Sequence, residues 1–215
     1  MFNFDEVLLD YINKIPPRKL KLGEYHVSSV YKCPRLMYYE YMTQLYPDST
    51  EEYKKNTETM RIFQIGHVIH DYVENVLKRE GKLVASETHL QYQLDHDILL
   101  SGHYDAMIQD NGSLKLVEFK STKALPKQAY DHHVIQLNTY LVITGLTQGY
   151  IVYIEKNTLK TRQFIVERNN EMFCDVILKL KLLDKHLKEQ TLPNPKKTWL
   201  CKFCDFKEKC EKEEE

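Results

Sequence analysis

Apolar residues recur at helical spacing across residues 57–80. Ile62, Phe63, Ile65, Ile69, Val73, Val76 and Leu77 follow a 3.6-residue period that Gly81 ends. A shorter amphipathic helix is predicted over 4–14, stopped by Pro16 and Pro17. Ser28 and Ser29 can cap a short turn, and Pro34, suited to a first helical turn, starts a helix through about Thr43. The polar stretch from Pro47 to Lys55 reads as a loop. Extended runs are predicted at 83–94 and 97–109. Asp110-Asn111-Gly112-Ser113 then turns the chain, since Asn-Gly accepts positive φ, and the returning arm runs from Leu114 to Ser121. A helix over 127–144, strands over 149–156 and 160–167, and a helix over 169–189 follow. Residues 191–198, with Pro193 and Pro195, read as a linker to an acidic, frayed tail. Strands interleaved with helices make an α/β domain whose sheet is mixed, flanked by helices, and at least partly antiparallel. One domain is expected, divided into an N-terminal helical part (1–56), a core (57–190) and a C-terminal segment (191–215).

Composition narrows the function. The 215 residues carry a net charge of −1, so any nucleic-acid contact must be concentrated on one face. The N-terminus lacks a basic, then apolar, leader, and no apolar run approaches the ~20 residues that span a bilayer. A cytoplasmic protein with reduced thiols is therefore expected (the host cytoplasm for a viral chain), with no membrane partner. Five cysteines in that setting favour metal ligation over disulfides. Cys201-x2-Cys204-x5-Cys210 is a ligand spacing for Zn²⁺ or an iron–sulfur cluster, and Cys33 can complete the set and join the two ends of the chain. Spacing does not separate the two metals. Cys174, in a helical run, is expected to be a small buried thiol.

The second constellation is acidic. On a strand Glu118 and Lys120 share a face while Val117 and Phe119 take the other, and Asp105 on the paired arm can lie close to Glu118. Two carboxylates can hold a hard cation such as Mg²⁺ or Mn²⁺. Phosphodiester cleavage needs an activated water and stabilised charge at phosphorus, which metal ions supply. Lys120 would orient the water or meet the developing charge. On the 57–80 helix Gly66, His70 and Glu74 lie at i, i+4 and i+8, so His70 can point at the same metal with Glu74 orienting it. His67 competes, and spacing alone does not choose. Gln136 and Tyr140, also four apart, can support the site.

In order, these residues resemble the RecB-like branch of the PD-(D/E)XK nucleases. They look most like its iron–sulfur exonucleases, typified by CRISPR-associated (Cas) family number four and its phage and viral relatives. Six motifs carry the resemblance over most of the chain: Cys33-Pro34-Arg35, Gly66-x3-His70, Gly102-x2-Asp105, Glu118-x-Lys120, Gln136-x3-Tyr140, and Cys201, Cys204 and Cys210. The resemblance implies a restriction-endonuclease-like core whose ends are joined by a 4Fe–4S cluster rather than zinc. It implies Mn²⁺ or Mg²⁺ on His70, Asp105, Glu118 and the Phe119 carbonyl. It makes Lys120 catalytic, prefers His70 to His67, and gives Gln136 and Tyr140 supporting roles. The proline often found before the first Asp is absent, as it commonly is in RecB-like members; His103-Tyr104 precede Asp105.

The activity so implied is metal-dependent DNA exonuclease action at ends, with single strands preferred, in recombination, repair or CRISPR spacer acquisition. An integrase or helicase partner fits that setting. Arg35, Lys123 and Lys127 are candidate phosphate contacts. Tyr38 and Tyr39 are expected to pack in the core rather than stack on bases. Two other readings stand beside this one: a non-catalytic DNA-binding subunit of a recombination or integration complex, and a zinc-ribbon interaction protein.

Overall fold

The computed structural model describes residues 2–47 and 57–213, so all of the predicted 47–55 loop but Pro47 lies outside the described residues. The elements run α1 (Phe4–Asn13), β1 (Glu24–His26), a 3-10 turn (Val27–Ser29), α2 (Pro34–Leu45), α3 (Thr57–Arg79), β2 (Leu83–Gln93), β3 (Leu99–Asp110) and β4 (Ser113–Thr122). They continue with α4 (Asp131–Thr144), β5 (Gln148–Glu155), β6 (Thr161–Glu167), α5 (Asn170–Glu189), a 3-10 turn (Trp199–Phe203) and α6 (Lys207–Lys212).

Local chemistry sets most boundaries. Asn3 and Asn169 cap α1 and α5 by accepting the amides of Asp5 and Met172. Gly145, at φ 76°, ends α4 in the left-handed conformation. The start of α4 falls at Asp131, later than the predicted 127, because extended Tyr130 occupies the cap and gives its N–H to the Tyr153 hydroxyl at 3.0 Å. Three elements escaped the sequence pattern: the three-residue β1, the turn at Trp199, and α6 in the supposed frayed tail.

The six-stranded sheet runs β1-β3-β4-β5-β6, with β2 also on β3. β2–β3, β3–β4 and β5–β6 are antiparallel; β1–β3 and β4–β5 are parallel. One edge of β3 is taken by β2. The other is shared: β1 pairs with Leu99–Ser101 and β4 with Ala106–Asp110. Residues 102–105 lie between these two ladders, in a seam of the sheet.

Both faces are covered. Leu116, Ile151 and Tyr153 pack with Leu137, Tyr140 and Leu141 of α4 and Leu180 and Leu183 of α5. On the opposite face Ile69 of α3 meets Ala106, Val117, Phe119 and Ile154. The alternation along β4 therefore sends Glu118 and Lys120 toward α4, and Val117 and Phe119 toward α3. Tyr38, Tyr39 and Tyr41 are buried, as packing residues. Cys174 is exposed, contrary to expectation, because α5 buries the stripe Phe173, Val176, Leu180, Leu183 and Leu187 and turns Cys174 outward. Among the described residues no helix is long and apolar enough to cross a membrane.

Candidate active site

Gly102-x2-Asp105 occupies the seam, and two side chains do there what a neighbouring strand does elsewhere. The Tyr140 hydroxyl donates to the His103 carbonyl at 2.7 Å. The Asp105 carboxylate accepts the Phe119 N–H at 2.6 Å. Tyr140 reaches His103 only because residue 102 has no side chain: a Cβ there would stand 2.6 Å from the tyrosine oxygen. Two motifs far apart in sequence thus meet in one contact.

Glu118 is 1% exposed. Its Oε1 accepts Lys120 Nζ at 2.6 Å and Gln136 Nε2 at 2.7 Å, while Gln136 Oε1 accepts Lys120 Nζ at 3.2 Å. Gln136 thereby holds acid and lysine in one triangle. The other oxygen, Oε2, is buried without a partner, a costly state for a carboxylate unless a cation meets it. Burial, then the charge of Glu118, pushes the Asp105 carboxyl well above the usual range. Burial works against the Lys120 ammonium, but the charges of Glu118 and Asp105 outweigh it and hold its pKa raised.

His70 arrives from the other side of the sheet. Its ring packs edge-on against Phe119, centroids 5.8 Å apart, with Nδ1 3.7 Å from Asp105 Oδ2. Burial, then the Lys120 charge, lowers its pKa to about 4, so the imidazole is neutral and able to ligate. His67 is exposed. Glu74 lies near Ser86 and Glu87 of β2; burial, then the Glu87 charge, raises its pKa, and the Ser86 hydroxyl offsets this in part. No hydrogen bond from Glu74 to His70 occurs among the described residues.

Glu87 was not anticipated. The pairs Ser86↔Ala106 and Thr88↔Tyr104 bring it opposite Asp105, so Glu87, Asp105 and Glu118 form a row across three strands. Its φ of 43° is unusual for a non-glycine residue. No spacing signal marked it.

Among the described residues no three His, Cys, Asp or Glu side chains converge into a ready ligand shell. At the acidic site Glu118 Oε1 is turned to Lys120 and Gln136, and the donors left for a hard cation would be its unpartnered Oε2, Asp105 and His70, whose Nδ1 is 3.7 Å from Asp105 Oδ2. Cys201 and Cys210 lie near Cys204, but among the described residues Cys33, Cys201, Cys204 and Cys210 do not close into a ligand group. Cys33 Sγ accepts the Lys196 N–H at 3.2 Å, and Cys201 Sγ that of Thr198 at 3.4 Å. Arg35 donates to Pro193 O at 2.8 Å and contacts Cys210 O and Sγ at 3.4 and 3.8 Å. Arg35 is therefore a buried tie between the chain's ends, not a phosphate contact. Lys123 and Lys127 are exposed.

The model of the PD-(D/E)XK nuclease superfamily matches residues 75–211. The CRISPR-associated exonuclease Cas4 of Saccharolobus solfataricus is 26% identical over 198 residues, 86% of each chain. The crystal structure of SSO0001 superposes with a TM-score of 0.68 at 19% identity, covering 95% of this chain and 94% of that one. The alkaline exonuclease of Laribacter hongkongensis gives 0.51 at 12% identity, with coverages of 79% and 90%. A phage-related exonuclease from Haemophilus somnus gives 0.54 at 13%, with 78% and 96%. At such identities the structural matches establish a common fold.

Proposed function

Because the chain belongs to the PD-(D/E)XK nuclease superfamily and is a nuclease of that type, we propose that it is a divalent-metal-dependent exonuclease that hydrolyses DNA from its ends. The observation that carries this reading is the convergence of Asp105, Glu118 and Lys120 at the seam, with one buried Glu118 oxygen left for a cation.

His70, Asp105, Glu118 and the Phe119 carbonyl would hold Mn²⁺ or Mg²⁺. Such an ion, when bound, lowers the pKa of a water and stabilises charge on the attacked phosphate. The chain's own residues do the rest. Lys120, kept protonated by its acidic neighbours, orients the water or meets charge building on phosphate oxygens. Gln136 fixes the Lys120 ammonium against Glu118, so that neither reorganises during reaction. Tyr140 and Gly102 hold the backbone from which Asp105 projects.

The same reading makes Cys33, Cys201, Cys204 and Cys210 ligands of a structural 4Fe–4S cluster. It is supported by the nearness of Cys201 and Cys210 to Cys204 and by the Arg35 tie between the segments that carry Cys33 and Cys210. The biological setting we assign is DNA recombination, repair or CRISPR spacer acquisition inside the cell, with an integrase or helicase as partner.

The test follows linear DNA labelled at its 5′ or 3′ end, single- and double-stranded, with Mn²⁺, Mg²⁺ or EDTA. Metal-dependent loss that Lys120→Ala abolishes is the expected result, and the label released first gives the polarity. Full activity in Lys120→Ala or in Glu118→Ala would overturn the site assignment.

A further inference from the structure

The site uses Gln136 but leaves unexplained the helical turn before it. His132 precedes Gln136 by four residues on α4 and therefore sits on the same helix face, about 6 Å nearer its N-terminus. A chain of rings begins there. His132 contacts Tyr31 (centroids 5.2 Å apart), stacks on Tyr130 (5.6 Å, 10° between planes) and meets Trp199 (5.9 Å). Trp199 in turn meets Phe203 at 6.1 Å. These rings come from three separate segments: the approach to α2, the start of α4 and the 3-10 turn before α6.

Isolated exposed aromatics are ordinary on protein surfaces. Here Trp199 is 57%, Phe203 74% and Tyr130 41% exposed, and the row they form leads to the residues that hold the catalytic lysine. We propose that this row is a stacking track for the unpaired bases of one DNA strand, placing the strand's backbone at Lys120; the proposal rests on the DNA-cleaving reading above.

The chemistry fits that occupant. Every base has a π-face, so aromatic rings grip single strands without reading sequence. Burial, and then the Lys120 charge, keep His132 and His133 neutral, so they offer rings rather than charge. Exposed cations adjoin the track in sequence: Lys127 precedes Tyr130, and Lys202 stands between Trp199 and Phe203. Paired bases, whose faces are stacked on one another, cannot use such a surface. The track is also what the near-neutral composition requires, a grip that does not depend on an overall basic charge.

The experiment measures binding of a fluorescein-labelled oligothymidylate by anisotropy, in EDTA to stop cleavage, to full-length protein prepared without air. An abasic strand of equal length is the control. Wild type should bind the thymidylate at least about fivefold more tightly than the abasic strand. Trp199→Ala should lose that preference while still binding the abasic strand, and Trp199→Phe should restore most of it. Equal loss on both strands, or no loss on either, would overturn the track. Binding of neither strand by wild type would overturn the DNA reading itself, and the track with it. Matching circular dichroism of the variants separates a lost contact from a lost fold.

Discussion

The Asp105 carboxylate accepts the Phe119 N–H at 2.6 Å, across the point where β3 and β4 stop pairing. One side chain is thus both a candidate ligand and a substitute for a rung of the ladder. The two roles are separable. Asp105→Asn keeps an oxygen for the amide and should fold normally with nuclease activity lost. Asp105→Ala should lose activity and also about 1–3 kcal/mol of stability, because the N–H of Phe119, itself only 2% exposed, is left unpaired. Urea melts of the two variants check this; equal stability would deny the structural role.

Gln136 touches both Lys120 and Glu118 and, on our reading, neither metal nor substrate. Gln136→Leu should lower kcat about 10- to 100-fold, the usual cost of losing a residue that orients a metal site. Gln136→Glu should recover part of the effect on Lys120 but not on Glu118, whose charge it would repel. Titrating activity with Mn²⁺ distinguishes weaker metal binding from a misplaced lysine.

Gly102 and Tyr140 should be coupled. Gly102→Ala forces its new methyl against the tyrosine oxygen and should cost at least about 1 kcal/mol. Tyr140→Phe removes that oxygen and also frees the His103 carbonyl of its donor. In the double variant the losses should be less than additive, because the closest clash and the hydrogen bond share the tyrosine oxygen, although Val27 and the ring carbon still crowd the new methyl. Strict additivity in thermal denaturation would mean that the backbone moves aside instead.

Lys179 of α5 donates to Val30 O and, at 3.2 Å, to Lys32 O. Burial, then the nearby Lys196 charge, lowers its pKa to about 8. The folded chain therefore holds fewer protons than the unfolded chain between about 8 and the ordinary lysine value. Below that window the penalty for the charged form is fully present; through it, this group's contribution to stability rises with pH. The rise should be about 2 kcal/mol after allowance for partial solvation. Urea midpoints of wild type and Lys179→Met between pH 7 and 10 should differ by that slope, and parallel curves would refute the assignment.

The proposed iron–sulfur cluster predicts colour. Protein purified without air should be brown and hold about four iron and four sulfide per chain, and Cys33→Ser should lose both. A colourless protein with one zinc would replace the cluster by a zinc site. Because Arg35 reaches Pro193 and Cys210 through its guanidinium, Cys33→Ser should still fold.

How much of this was legible depended on range. The long helix, the Asn-Gly hairpin and the facing of Glu118 and Lys120 follow from local periodicity and were predicted nearly to the residue. The start of α4 was not, since it is set by a hydroxyl from β5. β1 is too short for any period, and its place is fixed by β3 and by the bond from the Tyr25 hydroxyl to Asp184 of α5 at 2.8 Å. Arg35 read as a surface cation because nothing nearby in sequence announces the carbonyls of Pro193 and Cys210. Glu87 was invisible for the same reason: only strand register sets it beside Asp105. Motif order supplied the candidate residues; tertiary contacts supplied their partners.

The seam in β3 has a consequence for how the molecule breathes. Proteins open in parts before they unfold as a whole, and opening costs least where few backbone bonds must break. On the edge that faces the β1 and β4 ladders, those bonds are made by Tyr140 and Asp105 among the described residues, while β2 pairs with Gly102, His103 and Tyr104 on the other edge. The edge of the sheet held by side chains instead of a strand is therefore the one that carries the chemistry. A cation drawing Asp105 and Glu118 together would slow amide exchange there first, while the β2–β3 ladder kept its rate.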